Sequence, residues 1–122
     1  MKKILSFLSL SMAIFISACS TPQSGTASLT TESFKVSGVC GMCKKRIETA
    51  AYGISGVEKA TWNAQKQALE VSYNAKKATN EAIQNRVASA GHDTEKVKAA
   101  DKAYGTLPDC CKYRDGVEVH ED

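Results

Sequence analysis

The order in which apolar spacing changes between Phe34 and Ala90 constrains the fold of this chain more than any other feature. Phe34 and Val36 alternate with Ser33, Lys35 and Ser37, the two-residue period of a half-buried strand. Gly38 to Cys43 is a loop running into a helix, where Ile47, Ala50, Ala51 and Ile54 fall at i, i+3, i+4 and i+7. Gly53 is suited to a left-handed closing position with Ile54 folded back over the last turn, and Ser55-Gly56 marks the bend. Val57–Asn63 reads as a second strand with Ala60 and Trp62 on one face. Leu69, Val71 and Tyr73 then alternate with Glu70 and Ser72 to complete a hairpin. Thr79 or Asn80 caps a second helix with Glu81 in its first turn, a buried stripe of Ile83, Val87 and Ala90, and Gly91 closing it. Thr94 to Lys98, with Val97 its one strong apolar residue, completes the series as a short last strand. This order is an α+β fold, the ferredoxin-like βαββαβ sandwich with two helices on one face of an antiparallel sheet, spanning residues 31–98.

The flanks read differently. Met1-Lys2-Lys3 gives a positive start, and Ile4 to Ala18 is almost wholly apolar or small. That run is short for a membrane helix, which needs roughly 20 residues, and it has the form of a secretory leader, residues 1–18. Ile16-Ser17-Ala18-Cys19 resembles a bacterial lipobox, which implies cleavage before Cys19 and lipidation of that cysteine. The alternative is an ordinary leader in which Cys19 is incidental. Residues 19–30, polar and free of charge, form a flexible tether. The expected location is the cell envelope, lipid-anchored and facing the periplasm or exterior, with the membrane as a partner through the lipid. Sixteen basic residues face thirteen acidic ones, and Lys2 and Lys3 leave with the leader. A nearly neutral remainder carries no basic footprint for nucleic acid. Residues 99–122 are a C-terminal extension in which Leu107-Pro108-Asp109 rules out a continuous helix.

Five cysteines are present, and lipidation of Cys19 leaves Cys40, Cys43, Cys110 and Cys111. Cys40-Gly41-Met42-Cys43 lies between the first strand and the first helix, where two sulfurs at this spacing can close on one ion. Unpaired amides at the helix start, with Lys44, Lys45 and Arg46 behind them, favour thiolate over thiol. Soft sulfur ligands select Cu(I), zinc or similarly thiophilic ions over calcium or magnesium.

With these residues in view, the segment 31–98 resembles the heavy-metal-associated domain of copper chaperones, periplasmic mercury-binding proteins and the N-terminal modules of metal-pumping ATPases. Cys40 and Cys43 match its Cys-x-x-Cys; Gly56-Val57, Val71-Ser72-Tyr73 and Ala90-Gly91 also match its pattern. The resemblance implies a soft metal ion, Cu(I) ahead of Zn(II) or Hg(II), and a metal-transfer protein as partner. One departure is Gly38, where the family usually has a methionine packed under the loop; a looser loop is the expectation. Met42 should point outward and is not expected to be a ligand. The resemblance places His92 in the loop approaching the metal, either as a third ligand or hydrogen-bond partner of a thiolate, or as a solvent-exposed loop histidine.

Cys110 and Cys111 leave three readings open. They join Cys40 and Cys43 in a three- or four-thiolate site, one of them forms a disulfide with that pair, or they make a separate structural staple. Trp62 and Tyr73 read as core. The leading expectation is a non-enzymatic, extracytoplasmic protein that binds a soft metal for handover or sequestration, with Lys44, Lys45 and Arg46 flanking a docking surface for acidic partner residues. The alternatives are a thiol–disulfide oxidoreductase, redox-gated or otherwise, and a purely structural envelope domain.

Overall fold

The computed structural model describes residues 28–120. The expected leader, the expected lipidation at Cys19 and most of the expected tether lie outside the described residues. Three strands, β1 (Leu29–Lys35), β2 (Val57–Asn63) and β3 (Ala68–Asn74), form an antiparallel sheet of order β1-β3-β2. β1 begins at Leu29, ahead of the Thr31 expected from sequence. Helix α1 (Gly41–Tyr52) packs against β2, β3 and α2 (Asn80–Ser89). A third, short helix α3 (Asp101–Gly105) and two single 3₁₀ turns, Asp109–Cys111 and Tyr113–Asp115, make up the extension. Among the described residues no helix is long and apolar enough to cross a membrane.

The alternation read from sequence places the core. Phe34, Ala60, Trp62, Leu69, Val71 and Tyr73 are buried on one sheet face, and Ile47, Ala50 and Ala51 of α1 meet them. Each large aliphatic or aromatic side chain buried there contributes roughly 1.5–3 kcal/mol relative to exposure. The Thr79 hydroxyl accepts from the Ala82 amide, capping α2 as expected. The buried stripe of α2 is Ile83, Gln84, Val87 and Ala88; Ala90 is only partly covered. Gln84 is tolerated inside because Nε2 donates to Asn80 Oδ1 and Oε1 accepts from the Lys96 amide.

Two local expectations are corrected. Gly53 is right-handed (φ −68°), its amide donating to the Thr49 and Ala50 carbonyls; the left-handed turn falls at Gly56 (φ 100°). The segment from Thr94 to Lys98 is not a strand. It meets the sheet through one bridge, Val36 with Thr94, flanked by the Ser37 amide on Asp93 O and the Glu95 amide on Lys35 O, both at 2.9 Å. Thr94 then curls the chain away. Its amide donates to Val97 O, and its hydroxyl accepts from the Val97 amide. Such local side-chain bonding competes with a ladder, and with Val97 alone to anchor it the ladder loses.

Candidate metal centre

Cys40 is the residue from which α1 starts, with extended backbone (φ −147°, ψ 176°), and Cys43 lies in the first turn. That turn brings the two Sγ atoms to 3.6 Å of each other. The loop before them is tight, which corrects the expectation of a looser one. Trp62 Nε1 donates to Val36 O at 3.0 Å, and the Gly38 amide donates to Gln67 Oε1 at 3.0 Å. A Cβ on Gly38 would stand 2.9 Å from Trp62 Cζ2 and 3.0 Å from Cys43 Cβ. The indole therefore fills the space under the loop, and only glycine lets it approach so closely.

The extension folds back over this loop. Leu107 is buried against Gly91, whose backbone (φ 104°) and lack of a side chain admit it. Tyr113 Oη donates to Gly91 O and accepts from the Asp93 amide, each at 2.8 Å. The Asp109–Cys111 turn thereby places Cys111 Sγ 3.8 Å from Cys40 Sγ. Cys110 lies at the rim, its Sγ 4.0 Å from Cys111 Sγ. The Sγ atoms of Cys40, Cys110 and Cys111 all lie within 4.8 Å of one another. All four cysteines are free thiols. The structure brings Cys110 and Cys111 to the Cys40–Cys43 loop rather than holding them apart from it.

The thiols are electrostatically unequal. Burial pushes Cys40 up, but the Cys43 and Met42 amides and the Cys43 and Cys111 thiols outweigh it, so Cys40 sits below an ordinary thiol. Burial dominates at Cys43 and Cys111, both held above the ordinary value; at Cys111 the neighbouring Cys43 and Cys40 add to the effect. Lys44, Lys45 and Arg46 do not figure among these influences. Lys44 is engaged elsewhere, its Nζ 2.8 Å from both Glu48 Oε1 and Trp62 O.

His92 is fully buried, contrary to the reading of an exposed loop residue. It is not among the three clustered ligand atoms. Its Nδ1 lies 2.9 Å from Ser37 O, and its ring stacks on Tyr113. A carbonyl only accepts, so Nδ1 carries the proton and Nε2 presents its lone pair. Among the described residues that Nε2 is buried without a hydrogen-bond partner. Met42 is half exposed, as expected, yet Cys110 Sγ donates to its Sδ at 3.5 Å. Sequence reasoning set Met42 aside as a non-ligand and did not foresee this contact with Cys110.

The heavy-metal-associated domain model matches residues 33–93. The chain belongs to that family. The heavy-metal-associated domain of this chain is similar to a CopZ metallochaperone (29% identity, TM-score 0.52), with 53% of this chain and 98% of that one covered. It is also similar to the N-terminal domain of a potential copper-translocating P-type ATPase from Bacillus subtilis in the Cu(I)-loaded state. There the identity is 28% and the TM-score 0.52, over 55% of this chain and 85% of that one. Oxidized MerP from Ralstonia metallidurans CH34 shares the fold at 20% identity and TM-score 0.53, over 56% and 96% of the two chains. No curated protein sequence gives a significant match. The heavy-metal-associated match ends at Asp93, so Cys110 and Cys111 belong to what this chain adds to the domain.

Proposed function

We propose that this chain binds a soft metal ion outside the cytoplasm through Cys40 and Cys43, with Cu(I) preferred over Zn(II) and Hg(II), for handover or sequestration. The observation that carries this reading is the convergence of three buried sulfurs, Cys40, Cys43 and Cys111, at the start of α1. A donor set of sulfur alone discriminates against hard cations. The CopZ metallochaperone and the Cu(I)-loaded ATPase domain support Cu(I) as the favoured cargo. Metal passes to a protein partner by ligand exchange, each incoming thiolate replacing one that leaves, and no covalent change of a substrate is needed. The lipid on Cys19 holds the domain at a membrane.

Thiol–disulfide exchange is less well supported: the relatives at 28–29% identity are a metallochaperone and a Cu(I)-loaded ATPase domain.

The test is titration of the reduced full chain with Cu(I), Zn(II) and Hg(II) against competing chelators. Cu(I) should bind most tightly, and Cys40→Ser or Cys43→Ser should weaken it by more than the roughly 100-fold that loss of an outer-shell partner can cost. Unchanged affinity in both variants sinks the reading. Attachment is checked separately: labelled fatty acid should enter the wild type in a bacterial host and not Cys19→Ser.

A further inference from the structure

The four thiols run in series from solvent to the motif. Cys40 is 3% exposed and Cys43 0%, so an incoming ion meets neither of them freely. Of the four, only Cys110 is not buried, and Met42, half exposed, stands beside it with Sδ 3.5 Å from its Sγ. The sulfurs continue inward from Cys110 to Cys111 at 4.0 Å, from Cys111 to Cys40 at 3.8 Å and from Cys40 to Cys43 at 3.6 Å. With metal–sulfur bonds of about 2.3 Å, two sulfurs can hold the same ion up to a separation of about 4.6 Å. Every step is shorter than that. An ion can therefore bond the next sulfur before it leaves the last.

The extension builds the outer part of this series. In an extended chain the side chains of neighbours such as Cys110 and Cys111 point to opposite faces. Here the Asp109–Cys111 turn, closed by the Cys111 amide on Pro108 O at 2.8 Å, brings the two sulfurs together. Cys40 Sγ donates to Cys110 O at 3.4 Å, which sets the turn directly on the motif. Cys40, Cys110 and Cys111 then lie within 4.8 Å of one another. That spacing suits one ion, since three sulfurs around an ion stand about 4.0 Å apart. Cys40 belongs both to this set and to the Cys-x-x-Cys, so an ion moves between the two without letting go of it.

We infer that Cys110 and Cys111 are a relay, the outer station through which a single Cu(I) ion reaches and leaves the buried pair Cys40 and Cys43. This rests on the proposed function and adds its route. The ion arrives on Cys110, gains Cys111 and Cys40, and passes to Cys43 as its bonds to Cys110 and Cys111 break. Each thiol gives its proton to solvent as its bond to the ion forms, and Cys110 and Cys111 take protons back as theirs break. The net exchange is one Cu(I) in, its donor's ligand out and two protons released, with no change of oxidation state. A cleft beside Lys44, Trp62 and His120 also opens on Cys40, but among the described residues no other sulfur lines it. An ion entering there must leave its donor for one thiol alone.

The test is anaerobic stopped-flow loading of the reduced full chain in detergent, with Cu(I) supplied as its coloured bicinchoninate chelate. Competition with that chelator gives the dissociation constant, and copper-edge X-ray absorption counts sulfur neighbours. The wild type should bind one ion with two sulfur neighbours. Cys110→Ser should slow both loading and removal by at least about tenfold, as expected when the accessible thiol is lost, with the dissociation constant and urea midpoint unchanged. Cys43→Ser should stall the ion at the outer station with three sulfur neighbours. Wild-type rates in Cys110→Ser overturn the relay and leave the proposed function standing, the ion then entering by the His120 cleft. A dissociation constant that rises on loss of Cys110, or three sulfur neighbours in the wild type, makes the extension a permanent ligand and also overturns the relay. No binding by the wild type overturns both.

Discussion

Arg114 grips Asp93 with two parallel contacts, Nη2 to Oδ1 at 2.6 Å and Nε to Oδ2 at 3.2 Å. Asp93 is the last residue of the matched domain and Arg114 lies past the second cysteine pair, so this fork joins the Tyr113 and Leu107 contacts in fastening the extension onto the domain. Nη1 adds Asp101 at 3.0 Å and Nη2 adds Ala99 O at 2.8 Å, while the guanidinium lies over the Tyr104 ring. Bidentate Arg–carboxylate pairs fix direction as well as energy.

Arg114→Leu should therefore lift the extension without unfolding the sheet. Losing charged hydrogen bonds of this kind costs about 1.5–3 kcal/mol. Cys111, buried in the wild type, should become reactive toward iodoacetamide in step. Urea melts and mass-spectrometric mapping of alkylated cysteines check both effects; a protected Cys111 in this variant would show that the fork is not what seats it.

In the reduced, metal-free wild type the four thiols should label in order of access. Cys110 is partly exposed, while Cys43 and Cys111 are sealed and held as thiols by burial. Alkylation of Cys110 should outrun that of Cys111 by at least about tenfold, since an inaccessible thiol with a raised pKa is inert. Equal rates, measured by peptide mapping over time, would mean that the extension opens freely in solution.

Acid should weaken the fold in two stages. Burial, opposed in part by the Ser37 carbonyl, lowers the His92 pKa in the folded protein. Its contribution is thus complete above the unfolded imidazole value of about 6.5 and is lost as pH falls from there through the depressed folded value. Asp93 follows lower down. Burial pushes its carboxyl up, but Arg114 and the Ala99 amide outweigh that and leave it depressed. Its contribution is present above about pH 3.9 and is lost as pH falls through its folded value. Urea midpoints between pH 7.5 and 5 should fall in the wild type and flatten in His92→Gln.

Gly38→Ala should cost about 1–3 kcal/mol, the usual range for overpacking. The added carbon meets Trp62 and Cys43 Cβ at the same time. Because Cys43 is one of the two, metal affinity should drop along with stability. Paired thermal melts and chelator competition test this; a stable variant with weakened binding would place the strain on the sulfur alone.

Sheet and helices were legible because burial follows period: Phe34, Trp62, Leu69, Val71, Tyr73, Ile47 and Ile83 all lie where their spacing puts them. The Cys-x-x-Cys was equally legible, since its chemistry is local. What escaped depended on contacts distant in sequence. Nothing in Gly38 announces that an indole 24 positions later will press on it. Nothing in Asp93 announces Arg114, nor in Met42 the sulfur of Cys110. Thr94 misled for the opposite reason: its β-branched side chain favours strands, yet its hydroxyl bonds Val97, three residues on, and closes a local turn first.

The His120 amide donates to Val39 O at 2.8 Å, and a cleft of about 310 Å³ opens there between His120, Cys40, Lys44 and Trp62. The tail of the chain is thus a doorpost of the chamber. Anything fused behind it, an affinity tag above all, hangs in the entrance, and a polyhistidine tag would compete there for the very ions being measured.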